Sequence, residues 1–264
     1  FVTRTVRDTA ALLDVVSGAM PGDPYAAPLP PQSFSASLTP GRRLRVGVMT
    51  NAPREMLVDP AVVPAAEVCA RALEDLGHTV ELAYPPALDD PTGISAYVTI
   101  VAAGIGRTLD RWGENLGRAL TEDDVEPLTW ALAQSARKRT ATDYLAAIDQ
   151  MNTFVRAVGS WWNEGFDLLV TPCSAAPPPA HGTFQATREE PFAGFANAAP
   201  FGVYTTSFNL TGQPAISVPL HWTEAGLPIG SHIVGPFGRE DILLSVAAEL
   251  EQALPWADKR PGRW

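Results

Sequence analysis

Cys173 is the side chain of this sequence whose surroundings best suit chemistry. It follows the run Asp167-Leu168-Leu169-Val170-Thr171-Pro172 and opens a proline-rich stretch that reaches Pro177-Pro178-Pro179. A strand apolar on both faces suits the centre of a parallel sheet. In open α/β sheets, ligands bind in the crevice outside the carboxyl ends of the strands. A small polarisable thiol at that place either lines a substrate pocket or packs as a hydrophobe. To act as a nucleophile it would need a base beside it, and the sequence offers no companion histidine. Cys69 sits on an apolar helical stripe and is expected to be a core thiol. Neither cysteine belongs to a C-x-x-C, so zinc and dithiol redox chemistry lack a motif, and no metal or cofactor is expected.

The remaining chemistry-bearing residues are dispersed. His78, His181, His221 and His232 share no spacing, and a histidine base needs a nucleophile and an orienting carboxylate, so each is read as structural. The chain holds no G-x-S-x-G elbow, no H-E-x-x-H and no Walker A loop. Gly104-Ile105-Gly106 opens like a dinucleotide fingerprint, but Leu109 stands where its third glycine belongs. A net charge of −10 disfavours nucleic acid, whose phosphates require clustered lysine and arginine. Arg137-Lys138-Arg139 is the one dense basic run and is expected on a solvated helix face. No apolar run approaches membrane-spanning length. Residues 1–18 carry Arg4, Arg7, Asp8 and Asp14 through their apolar positions, unlike a signal peptide, so a cytoplasmic protein with free thiols is expected. The sequence opens on Phe1, which suggests a processed, truncated or trimmed start.

The elements that must position these residues follow from periodicity. Thr5 and Asp8 form a capping pattern ahead of Val6, Ala10, Leu13 and Val16. Pro21, Pro24, Pro28, Pro30, Pro31 and Pro40 mark residues 21–42 as a connector that cannot enter a helix or sheet interior. Leu44–Val48 reads as a strand. A helix is expected to open at Asp59-Pro60, bear the stripe Val62, Ala66, Cys69, Leu73 and Leu76, and close at Gly77 before a second strand at Thr79–Leu82. That βαβ unit requires parallel strands. Residues 91–165 read as mostly helical, broken near Gly113–Gly117 and at Pro127, and ending in one long helix from Asp143 to Trp162. Beyond a Gly/Ala/Phe-rich loop, Ala215–Pro219 and Ile229–Val234 are expected to pair across a turn at Thr223–Gly226, before a last helix from Glu240 to Leu254. The fold class expected is α/β, a mixed, largely parallel sheet covered by helices on both faces.

Several segments resemble one enzyme family in the order in which they occur. Phe208-Asn209-Leu210-Thr211-Gly212-Gln213-Pro214-Ala215-Ile216-Ser217-Val218-Pro219 resembles a block typical of amidase-signature enzymes. Gly226-Leu227-Pro228-Ile229-Gly230 and Gly238-Arg239-Glu240-Asp241 resemble their next two elements, and Thr3–Ala10 resembles the segment just after their catalytic core. Within that family, Leu128-Thr129-Trp130-Ala131-Leu132, Asp143-Tyr144-Leu145 and Thr171-Pro172-Cys173 look most like the aminohexanoate cyclic-dimer (nylon-oligomer) hydrolases.

The resemblance implies the C-terminal portion of an amide hydrolase. Family members use a serine nucleophile, a second serine on a cis peptide and a lysine acting as base through that serine. Backbone N–H groups stabilise the oxyanion. This chain contains no Gly-Ser-Ser-Gly-Gly-like stretch, and neither Lys138 nor Lys259 has such a partner, so the triad cannot be carried over. What the resemblance leaves to this chain is pocket wall and part of the sheet, with Cys173, Phe208, Asn209 and Trp130 as expected substrate contacts. The expected partners are a small-molecule amide and an N-terminal catalytic segment or companion chain; a homodimer is compatible with the resemblance. The alternative it leaves open is a non-catalytic binding or assembly module, related to the amidase-like component of amidotransferase complexes.

Overall fold

A computed structural model describes residues 1–260. The chain order is α1 (Val6–Val16), β1 (Arg45–Val48), α2 (Val63–Asp75), β2 (Thr79–Leu82), α3 (Thr92–Leu116), α4 (Pro127–Ala136), α5 (Ala141–Ser160), β3 (Leu168–Pro172), α6 (Ala193–Gly202), α7 (Thr206–Thr211), β4 (Ala215–Trp222), β5 (Pro228–Val234) and α8 (Glu240–Ala253). Among the described residues, no helix is long and apolar enough to cross a membrane.

One five-stranded sheet runs β2-β1-β3-β5-β4. β1 pairs in parallel with β2, as the βαβ pattern requires, and in parallel with β3, whereas β5 is antiparallel to β3 and to β4. The sheet is mixed as expected, and its parallel character belongs to one half. For β4 and β5 the reason is the short Thr223–Leu227 connection, which closes on itself through Thr223 N–H to the Leu227 carbonyl. A link that short joins only antiparallel strands.

Helices cover both faces. Val46, Val48, Leu168 and Val170 point into a core shared with Ala66, Cys69 and Leu73 of α2 and with Leu243, Val246, Ala247 and Leu250 of α8. Leu169 and Val234 point the other way, against Phe154 and Val158 of α5, Trp161, and Phe208 of α7. All five residues of β3 are buried, because it is the central strand with a helical layer on each side. Cys69 is fully buried, and burial pushes its thiol up to about 12, which fits the expected core role.

Two local expectations change and a third is narrowed. The helix expected at Asp59-Pro60 begins at Val63, because Asp59 closes a turn first: its carboxylate accepts the Ala61 N–H at 2.9 Å and its carbonyl the Val62 N–H at 3.0 Å. The break expected near Gly113–Gly117 falls at Gly117, whose φ of 67° forms the left-handed cap. The Gly/Ala/Phe-rich segment is not a plain loop but carries α6 and α7. Small residues hide the 3.6-residue stripe by which such helices are recognised. By contrast, the Thr5 cap forms as read, its side chain accepting from the Asp8 N–H.

Two buried histidines make the fold sensitive to acid. The His78 Nδ1 accepts the Leu44 N–H at 3.1 Å, and desolvation lowers its pKa. Burial pushes His232 down to about 4. His232 thus stays neutral in the folded chain well below the pH near 6.5 at which the unfolded chain takes up its proton, and His78 contributes in the same direction. Stability is therefore complete above pH 6.5 and falls as the pH drops toward 4, on the order of 3 kcal/mol from His232. Urea midpoints at pH 7 and pH 4.5 check this. The drop is expected to shrink in a His232→Gln variant, and an unchanged drop would exclude His232 as its source.

Candidate active site

Strand order locates the crevice. From β1 the chain crosses to β2 on one side, then returns to place β3 on the other side of β1. The carboxyl ends of β1 and β3 therefore flank a switch point, the place where open α/β sheets bind ligands. Two loops leave it: 49–58 after β1 and the segment opened by Cys173 after β3.

These loops are tied together. Asp59 N–H donates to the Ala175 carbonyl at 2.8 Å, and Ala175 N–H donates to the Pro200 carbonyl at 2.8 Å. Tyr204, just after α6, packs with Ala52, Ala175 and Val203, and its hydroxyl donates to the Thr50 carbonyl at 2.7 Å. Burial pushes the Tyr204 phenol up to about 12, so it serves as a structural donor and not as a base. Sequence reasoning missed Tyr204 because the aperiodic 190–205 stretch gave no signal that it returns over β1.

The β1 loop also carries backbone strain. Arg54 and Glu55 are successive non-glycine residues with φ of 59° and 55°. The left-handed region costs such residues roughly 1–2 kcal/mol each. Arg54 is held there from two directions: its N–H donates to Asp89 Oδ1 at 2.8 Å and its Nη1 to the Leu88 carbonyl at 3.0 Å. Tyr84, which donates to Asp89 Oδ2 at 3.2 Å, borders two adjoining clefts of ≈540 and ≈1120 Å³ that share Thr50 and Asn51. Asp89 raises the pKa of that phenol.

The residues expected to touch substrate lie apart. Cys173 stands partly exposed at the end of β3, its N–H donating to the Gly230 carbonyl at 2.9 Å. Phe208 is 4% exposed and packs in the α5 layer, its ring 5.8 Å from that of His232. Asn209, the next residue of α7, is exposed. Trp130 is half-buried on α4, with the Arg137 guanidinium 5.8 Å from its ring. None of the four lines either cleft. Among the described residues, no group of three or more His, Cys, Asp or Glu could hold a metal ion.

Comparison with known proteins places this arrangement. The Amidase family model matches residues 1–244. The chain belongs to the amidase family. It is 42% identical over 266 aligned positions to the 6-aminohexanoate-cyclic-dimer hydrolases of Pseudomonas sp. (strain NK87) and of Paenarthrobacter ureafaciens, covering 98% of this chain and 54% of each relative. A solved structure of 6-aminohexanoate cyclic dimer hydrolase superposes with a TM-score of 0.94 at 41% identity, again over 98% of this chain and 55% of that one. This amidase chain thus spans about half the length of the relatives it matches.

The sheet of this amidase chain ends on β2 at one side and on β4 at the other. β4 pairs only with β5, so the other edge of its eight residues faces no strand among those described. A groove of ≈1160 Å³ runs along it, bordered by Phe1, Val2, Pro219, Trp222 and Leu227. A long unpaired edge beside apolar surface is a template for a further strand.

Proposed function

We propose that this chain is the C-terminal portion of an enzyme that hydrolyses carboxamide C–N bonds. It supplies pocket wall and part of the sheet, while a Ser–cis-Ser–Lys triad comes from an N-terminal segment or companion chain. The observation that carries this reading is the 42% identity to two amide hydrolases across nearly the whole of this chain but 54% of theirs. Two further facts support it: the chain has no Gly/Ser-rich nucleophile stretch, and β4 has an unpaired edge. The substrate class is a small amide, of which the cyclic aminohexanoate dimer named in those relatives is the leading candidate.

Cys173 is assigned to the pocket wall because it stands at the carboxyl end of β3 and its residue remains partly exposed, whereas Cys69 is sealed in the core. Asn209, exposed on the helix leading into β4, reaches substrate where the N-terminal portion completes the cleft, and the buried Phe208 backs that helix from the α5 layer. Trp130, half-buried in the first turn of α4, is a contact for the outer part of a long substrate.

The test begins with the reading frame upstream of Phe1, which is expected to encode a Gly/Ser-rich segment preceded by a lysine. The whole protein is then expected to release amine from a cyclic or linear aminohexanoate amide. An upstream frame without that segment and no companion chain that carries it, or a whole protein inert toward such amides and toward aryl anilides, would overturn the assignment.

A further inference from the structure

Thr171 and His232 face each other across the β3–β5 ladder, both buried, with Oγ1 and Nδ1 3.1 Å apart. The same hydroxyl lies 2.8 Å from the Pro172 carbonyl. A threonine hydroxyl has one proton and two lone pairs, and a carbonyl can only accept. The hydroxyl proton is therefore committed to Pro172, and the bond to His232 runs the other way, from Nδ1–H to Oγ1. That fixes the neutral ring with its proton on Nδ1. Burial holds the ring neutral around pH 7.

The acceptor in this relay is the peptide that carries Cys173. The last rung toward β1 is Met49 N–H to the Val170 carbonyl at 2.9 Å, so the Pro172 carbonyl lies beyond it. On the other side of the same peptide, Cys173 N–H donates to the Gly230 carbonyl at 2.9 Å. Both polar atoms of the Pro172–Cys173 peptide are thereby held, one by the ladder and one by Thr171. Alternation puts Thr171, Cys173, His232 and Gly230 on one sheet face. A Cβ on Gly230 would fall 3.2 Å from the Cys173 Cβ and collide with Ser217 Oγ, so a glycine there leaves the thiol its space.

We propose that His232 is a positioning residue for Cys173: by orienting the Thr171 hydroxyl it fixes the peptide bearing the thiol and sets where Cys173 stands in the amide pocket. This rests on the assignment of Cys173 to the pocket wall, but its structural core is testable without any amide turnover. Buried hydrogen-bonded relays of this kind specify one geometry because each member is left unsatisfied if another is removed.

In the chain itself, nitrogen NMR of the His232 ring is expected to show Nδ1 protonated and Nε2 bare; protonation on Nε2 would overturn the relay. Alkylation of Cys173 by iodoacetamide is then compared in His232→Leu, which removes the donor, and His232→Gln, which keeps one. We expect the Leu variant to change the rate at least tenfold and the Gln variant to restore most of it. Thr171→Val and Thr171→Ser repeat the comparison should the Leu variant fail to fold. Equal rates in the donor-free and donor-bearing variants would overturn the proposal. In the whole enzyme, His232→Leu is expected to raise KM about tenfold with kcat largely kept, and a loss confined to kcat counts against it. A parent protein that turns over no amide would instead count against the proposed function and leave the NMR and alkylation outcomes to decide the relay.

Discussion

Assayed alone against an aryl anilide or a cyclic amide, this chain is expected to show no turnover above background. The reason is chemical and not a matter of fold. Removing a serine nucleophile or its base typically costs on the order of a million-fold in kcat, and the chain offers no replacement. Lys138 is exposed beyond the end of α4, and Lys259 lies with its ammonium 5.3 Å from the Trp222 ring, neither in a serine–lysine array. The partly exposed Cys173 has no histidine hydrogen-bonded to it among the described residues; His232 is engaged with Thr171. Adding the separately produced N-terminal portion is expected to restore activity through the free edge of β4. Proline substitution at an outward-facing β4 N–H is expected to reduce that recovery. Turnover by the isolated 264 residues within a hundredfold of the whole enzyme would refute this division of labour.

The largest effect on stability is expected at Gly47, in β1 between two parallel partners. A Cβ there would lie 2.6 Å from the Ala83 carbonyl and 2.8 Å from the outer edge of the Trp161 ring. Trp161 cannot retreat easily: it is 3% exposed, stacks on Phe166 at 4.1 Å and meets Trp162 edge-on at 5.1 Å. The Arg45 guanidinium closes the far side of Phe166 at 3.9 Å. Gly47→Val is therefore expected to cost about 3 kcal/mol, the upper part of the overpacking range. In a Trp161→Leu background the same substitution should cost about 1 kcal/mol less or better, since contacting residues couple by that order. Urea denaturation of the four proteins closes the cycle. Equal costs in the two backgrounds would show that the ring is not what excludes a side chain at 47.

How far the sequence carried depended on how each element is encoded. β3 was legible because Leu168, Leu169 and Val170 form an unbroken apolar run, and such a run needs cover on both sides. α2 was legible from its stripe although its start was misplaced, because Asp59-Pro60 suits a helix start and a tight turn equally. The β4–β5 pair was legible from its turn. α6 and α7 were not, since alanine, glycine and phenylalanine in that stretch have no periodicity to reveal a buried face. Family membership needed no structure, because its motifs are contiguous blocks in fixed order.

The candidate site divides along the same line. Sequence alone identified Cys173 as a thiol at a strand's carboxyl end, and the absence of a nucleophile stretch, because both are properties of neighbours along the chain. Only the tertiary structure decided that β1 and β3 create the switch point, that Tyr204 returns across 154 residues to hold Thr50, and that His232 meets Thr171 61 residues away. Those contacts join residues whose sequence spacing carries no information about their distance. Strand order and register bring them together, and these are set by the packing of the whole sheet.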